Sequence, residues 1–180
     1  MILQRWLRIA MSAILLLPAG CGKPKQDGSA ERQKALDAMG QSDWDTVIKH
    51  SDEAIRLEPG IADIFWVRGT AHLKKKDYAK AEADLNQALK LDAELTPVFR
   101  ERGLTYLGQE KYDKAIDDFT VYIKKRPDDP EVYGYRALAH NKKGDTKAAS
   151  ADLRAMDKLK GQDNPNPKGK PSPKDNVNRK

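Results

Sequence analysis

Apolar side chains along this chain recur at helical spacing, in pairs of stretches split by short polar breaks, and the pairs themselves recur. Between Thr96 and Asp129, Phe99, Arg102, Gly103, Tyr106 and Leu107 share one helical face. Lys111-Tyr112-Asp113 interrupts the pattern. Ala115, Phe119, Tyr122 and Ile123 then mark a second amphipathic helix that Pro127 stops. Such a hairpin cannot bury both of its apolar faces alone, so it needs neighbours of the same kind. They stand at a constant spacing with no insertion or deletion. Phe65, Arg68, Gly69, Tyr78, Ala81, Leu85 and Ala88 lie upstream, and Tyr133, Arg136, Ala137, Thr146, Ala149, Leu153 and Met156 downstream. One period earlier, Ala35, Trp44, Val47, Ala54, Ile55, Leu57 and Pro59 hold these places more loosely. The register divides the chain into units at 28–61, 62–95, 96–129 and 130–161.

This pattern resembles the tetratricopeptide (TPR) family, whose repeat of about 34 residues carries an aromatic-x-x-Leu-Gly-x-x-Tyr, Ala-x-x-x-Phe and Pro signature. The resemblance implies an all-α fold, a right-handed α-solenoid of four helix hairpins. One departure recurs: Arg68, Arg102 and Arg136 stand where the signature has Leu. Asp84, Asp118 and Asp152 follow these arginines at one fixed offset and point toward the seam between the two helices of a hairpin. The spacing predicts structural Arg–Asp pairs, within a repeat or between adjacent repeats. In the first unit Lys34 and His50 occupy the two places, and poorer pairing is expected there. Gly69 and Gly103 fall at one repeat position inside first helices, where glycine costs about 1 kcal/mol relative to alanine. Close approach of the second helix, at Ala81 and Ala115, is the expected reason.

The ends of the chain change the picture. Met1 to Arg8 carries two arginines and no acid, Ile9 to Leu17 is apolar apart from Ser12, and Pro18-Ala19-Gly20-Cys21 follows. This is the layout of an export signal, too short in its apolar run for a membrane span of about 20 residues. It resembles the bacterial lipoprotein signal, with Pro18 where Leu is usual. The resemblance implies removal of residues 1–20, acylation of Cys21 and a lipid anchor in the cell envelope. Because Gly22 rather than Asp follows the cysteine, it also implies an outer-membrane address facing the periplasm. As the only cysteine, Cys21 excludes an intramolecular disulfide. Residues 21–30 read as a polar tether and residues 162–180, rich in Pro and Lys, as a disordered tail.

The formal charge is +6, and loss of Arg5 and Arg8 leaves 31 basic against 27 acidic residues. This mild excess lies mostly in the tail and does not by itself imply nucleic acid, which is not an expected partner. No phosphate-binding loop, dinucleotide fingerprint, zinc-binding pair or nucleophile elbow occurs, so neither an enzyme nor a cofactor or metal is expected. His72 and His140 share the repeat position of Tyr106 and read as packed imidazoles. The family resemblance implies a concave groove lined by the first helix of each hairpin and binding a protein or peptide partner. By register this groove includes Trp66, Thr70, Arg100, Leu104, Tyr135 and Leu138, with exposed aromatics as anchors. The alternative is that Trp66 packs on a neighbouring repeat. A second function class, an electrostatic binder of anionic lipid, cell-wall polymer or nucleic acid through the basic tail, is disfavoured by the tail's lack of aromatics and the spacing of its lysines.

Overall fold

The computed structural model describes residues 27–163. Residues 1–20, Cys21, most of the tether and the tail beyond Asp163 lie outside the described residues. Eight helices follow in order: α1 (Ser29–Gly40), α2 (Trp44–Leu57), α3 (Ala62–Lys74), α4 (Tyr78–Leu91), α5 (Thr96–Gly108), α6 (Tyr112–Lys125), α7 (Pro130–Lys142) and α8 (Thr146–Asp163). Consecutive helices pack in antiparallel pairs, and each hairpin packs on the next. The described residues form an all-helical solenoid.

All four hairpins turn in the same way. Ser42, Lys76, Glu110 and Gly144 occupy one repeat position and all have positive φ, between 59° and 85°. Only the fourth repeat places glycine there, the residue that adopts this region without steric cost. The next backbone N–H closes each turn, as from Asp77 to the His72 carbonyl at 2.9 Å and from Asp145 to that of His140 at 2.9 Å. The carboxylates of Asp43, Asp77 and Asp145 then accept from the first turns of α2, α4 and α8, capping orphan amides. Asp129 does the same for α7, whose first residue is Pro130.

The core follows the repeat register. Val47, Leu85 and Phe119 on second helices and Ile64, Val98 and Val132 on first helices are essentially inaccessible. Glycine makes room for these side chains. A Cβ on Gly69 would stand 2.9 Å from Leu85 Cγ, and one on Gly103 only 2.5 Å from Phe119 Cε1. The close neighbours are therefore the large residues at the Leu85 and Phe119 position, not Ala81 and Ala115 as expected. The missing side chain accommodates a bulky one.

The first helices of successive hairpins, α1, α3, α5 and α7, also touch one another, whereas the second helices do not. A stack in contact along one row and open along the other must bend toward the contacting row. The inner, concave face is therefore built from the first helices, and this sets where a long ligand can lie.

Candidate functional site

Two features of the stack bear on function: the polar ladder that holds it together and the surface that it holds in place. The ladder rests on the three recurrent arginines. Arg68 donates to both oxygens of Asp84 at 2.8 and 2.6 Å, Arg102 to Asp118 at 2.8 and 2.7 Å, and Arg136 to Asp152 at 2.9 and 2.6 Å. Each pair is a two-pronged fork between the helices of one hairpin, so the within-repeat alternative holds. The fork suits the planar guanidinium and is denied to lysine. Each guanidinium also lies 5.7 to 5.9 Å from the ring of the aromatic one turn earlier, Phe65, Phe99 or Tyr133.

Sequence reasoning missed the third prong. The remaining nitrogen of each arginine reaches back into the preceding hairpin: Arg68 to Asp52 at 2.6 Å, Arg102 to Asn86 at 2.7 Å, Arg136 to Thr120 at 3.0 Å. These acceptors stand as far before each arginine as the aspartates stand after it, and all carry an oxygen. That periodicity was available in the sequence. Along the chain the acceptor weakens from carboxylate to amide to hydroxyl, and the contact lengthens.

In the first hairpin the arrangement is inverted. Glu31, at the aromatic position, accepts from Lys34 at 2.7 Å and lies 2.5 Å from His50 Nδ1. The Lys34 and His50 contacts hold its carboxyl below the ordinary glutamate value. The acid sits on the first helix instead of the second, and the pairing survives with its partners exchanged.

Burial raises the carboxyl of Asp118 above its usual value against the pull of Arg102. Arg68 is held protonated chiefly by Asp84, with Asp52 adding to it. His72 is buried 3.9 Å from Asp84, and desolvation lowers its pKa despite that carboxylate. His140 is half-buried, 3.9 Å from Asp145.

The groove residues differ among themselves. Leu104 is half-buried against the second core, and Tyr135, also half-buried, stacks on Phe119 at a centroid distance of 6.0 Å. Arg100 joins α5 to α7 through Glu131 at 3.0 Å. Burial works against its charge, but Glu101, Asp129 and Tyr135 more than offset that and hold the guanidinium protonated. Leu138 is open to solvent, 47% exposed. Two expectations are corrected. Thr70 is 3% exposed and its hydroxyl donates to the Trp66 carbonyl at 2.9 Å, so it offers neither area nor a free donor. Trp66 is not an exposed anchor, because it packs partly buried against the first core with its indole nitrogen covered.

Glu101 stands beside Arg100 at a groove register position and is likewise withdrawn from solvent. It is a buried acid on α5, next to Arg100 at 3.5 Å, and burial pushes its carboxyl up against the pull of Arg100 and Lys74. Its register gave a signal: the equivalent residue one period earlier is Val67, a core position.

Stacked helical hairpins with a concave inner row define an interaction scaffold of the α-solenoid class. Two family models described as tetratricopeptide repeat match the chain, one over residues 32–95 and one over residues 68–134. The chain belongs to the tetratricopeptide repeat family. Among solved structures it is similar to a crystal structure of MamA, with a TM-score of 0.72 and 18% identity, covering 78% of this chain and 82% of that one. It is also similar to MamA from Desulfovibrio magneticus RS-1 (residue 41 to the end), with a TM-score of 0.70, 19% identity and coverage of 76% and 77%. The Arabidopsis OM64 TPR domain matches with a TM-score of 0.56, 19% identity and coverage of 74% and 97%. At these identities the likeness concerns the fold alone. No match was found among curated protein sequences.

Proposed function

We propose that this protein is a lipid-anchored scaffold of the bacterial cell envelope. In this reading its concave face holds a segment of a partner protein, and acyl chains on Cys21 hold it at the membrane, most simply the outer membrane facing the periplasm. One observation supports the first half above the rest. The inner helices set Arg100, Leu104, Tyr135 and Leu138 on neighbouring turns of α5 and α7, joined by the Arg100–Glu131 bridge. A partly covered apolar strip flanked by charge suits a peptide that buries a few side chains and fixes its register with polar groups. The second half rests on the layout of residues 1–21, with its basic start, short apolar run and Ala19-Gly20-Cys21. Attachment of this kind needs at least two chains, because one acyl chain gives only marginal binding.

A photo-cross-linking side chain placed at Leu104, in the bacterium that makes the protein, tests the groove. Capture of a discrete partner from position 104, lost with Arg100→Gln and absent from the outer-face position Asp117, is expected. Equal capture from both positions would refute the groove. For the anchor, mass spectrometry of the membrane-bound protein should find an acylated Cys21 at its N-terminus, and Cys21→Ala should abolish acyl labelling. An unmodified Cys21 on membrane-bound protein would rule the anchor out.

A further inference from the structure

The last hairpin ends the stack with a face whose charges are the reverse of those inside it. In the first three hairpins the second helix presents an acceptor, Asp52, Asn86 or Thr120, to the arginine of the next hairpin. The fourth presents Arg154 at that register position. In the first turn of the second helix, Asp45 and Asp113 receive Lys75 and Lys143 of the following hairpins. The fourth hairpin has Lys147 there. Two sites that accept cations within the stack are cationic at its end, and both residues are exposed.

Between these cations the surface is apolar and uncovered. Ser51, Leu85 and Phe119 are fully buried in their own hairpins, but their counterpart Leu153 is 44% exposed. Leu138, Ala149, Ser150 and Leu153 border a cleft of about 390 Å³ where the first helix of another repeat would lie. Two leucines side by side in a cleft leave apolar area that a partner can bury.

We propose that this end face docks an acidic amphipathic helix of another protein. An aliphatic side chain would cover Leu138 and Leu153, and carboxylates would meet Arg154 and Lys147. Two other occupants fit worse. Residues 164–180 carry five cations, one acid and four prolines, so they bring the wrong charge and a sequence hostile to a helix. A second copy stacked head to tail would offer the outward positions of α1. These hold Ala30 where the other hairpins have Ile64, Val98 and Val132, and Lys34 where they have arginine. It would bring little apolar area and set Lys34 against Arg154.

The register supplies the probe. A synthetic peptide copying residues 130–145 with Arg136→Glu and Lys143→Glu has the face of a following helix with its two contact charges inverted. An isolated helix of this length is marginal in water, so the readout is leucine methyl shifts in the full chain titrated with peptide at high concentration. The inverted peptide should move the Leu138 and Leu153 methyls saturably and bind more tightly than the unmodified copy. Lys147→Glu and Arg154→Glu should each weaken it by about two- to fivefold, and together they should reverse the preference between the peptides. Equal binding of both peptides, no binding of either, or shifts confined to Leu104 and Leu107 would overturn the proposal. Removal of residues 164–180 should leave the free-protein Leu138 and Leu153 resonances in place. Movement of those resonances would make the tail the occupant. Mass rising with protein concentration in sedimentation, abolished by Leu153→Asp, would make it a second copy. Either result would also overturn the proposal.

Discussion

Replacing Arg102 by leucine, the residue that the tetratricopeptide signature carries there, removes three hydrogen bonds and strands Asp118. The side chain of Asp118 is 7% exposed and that of Arg102 19%. Breaking a buried ion pair from one side costs about 3–5 kcal/mol. The residual exposure of this pair lets some water in, so Arg102→Leu should cost about 2–4 kcal/mol. Asp118→Asn should cost less, because the guanidinium keeps Asn86 at 2.7 Å and its own edge of solvent. In the double variant no charge is stranded, and the cycle should return a coupling of about 1–3 kcal/mol. Urea unfolding followed by circular dichroism, with all four proteins in one buffer, supplies these numbers.

The pH dependence gives a second, independent reading of the same pair. Without Arg102 the folded-state pKa of Asp118 rises further above the unfolded value of about 3.9. The penalty is therefore absent below that value and grows as pH rises through the folded pKa. The gap between wild type and Arg102→Leu should be wide at pH 7 and narrow at pH 4. Single changes that add to within about 0.5 kcal/mol in the double variant, with a gap independent of pH, would show the pair to be uncoupled and the ladder to be decoration.

Gly103→Ala gains helix propensity of about 1 kcal/mol but drives a methyl into the fully buried Phe119 ring, and overpacking costs about 1–3 kcal/mol. A net loss is expected in thermal melts, whereas Gly40→Ala, which meets nothing within 4 Å, should gain. Glu101 has a folded pKa raised by burial, so its carboxyl favours folding below about pH 4.3 and that contribution is lost as pH rises through the folded value. Glu101→Gln should therefore be more stable than wild type near pH 7 and lose this advantage at pH 4 in paired urea titrations. Thr120→Asp gives Arg136 a charged acceptor in place of a hydroxyl and should slow amide exchange in α7 and α8 about fivefold, leaving α1 and α2 unchanged.

The helices and the hairpin register were legible because periodic apolar positions and polar breaks are local signals. The Arg–Asp forks were legible because two residue types kept one offset through three repeats. Which hairpin supplied the acid was not legible, since one seam position can face either neighbour until the helix crossing is known. Asp52, Asn86 and Thr120 went unseen for a related reason: they differ in type, and only the shared ability to accept a hydrogen bond joins them. Groove exposure was the least legible property. Trp66 and Tyr135 lie on the inner helices as the register required. How far each ring sinks depends on the size of its neighbours across the hairpin, and Phe119 draws Tyr135 onto its face. Thr70 failed as a groove residue because a threonine in a helix can satisfy its hydroxyl on the carbonyl one turn back.

Why arginine, when the family's leucine would fill the seam without a buried charge? A leucine packs against whatever apolar surface it meets, and one hairpin of a repeat protein can slide on another with little change in area. The three-pronged guanidinium has a fixed geometry and reports on both seams at once, the one inside its hairpin and the one behind it. A displaced hairpin strands a charge instead of trading one contact for another. The prongs thus set register, a role that buried polar groups can fill at some cost in stability. The same device grades the stack. Arg68 lies between two carboxylates, Arg102 between a carboxylate and an amide, Arg136 between a carboxylate and a hydroxyl. The arginine prong across the seam behind the last hairpin is therefore the weakest of the three, and that hairpin alone leaves Leu138 and Leu153 uncovered. In a protein whose repeats touch only their neighbours, local opening concentrates at such an end. The part of the stack freest to adjust is the part with apolar surface left to bury, and the strongest prong lies at the seam between the first two hairpins, where Arg68 meets two carboxylates.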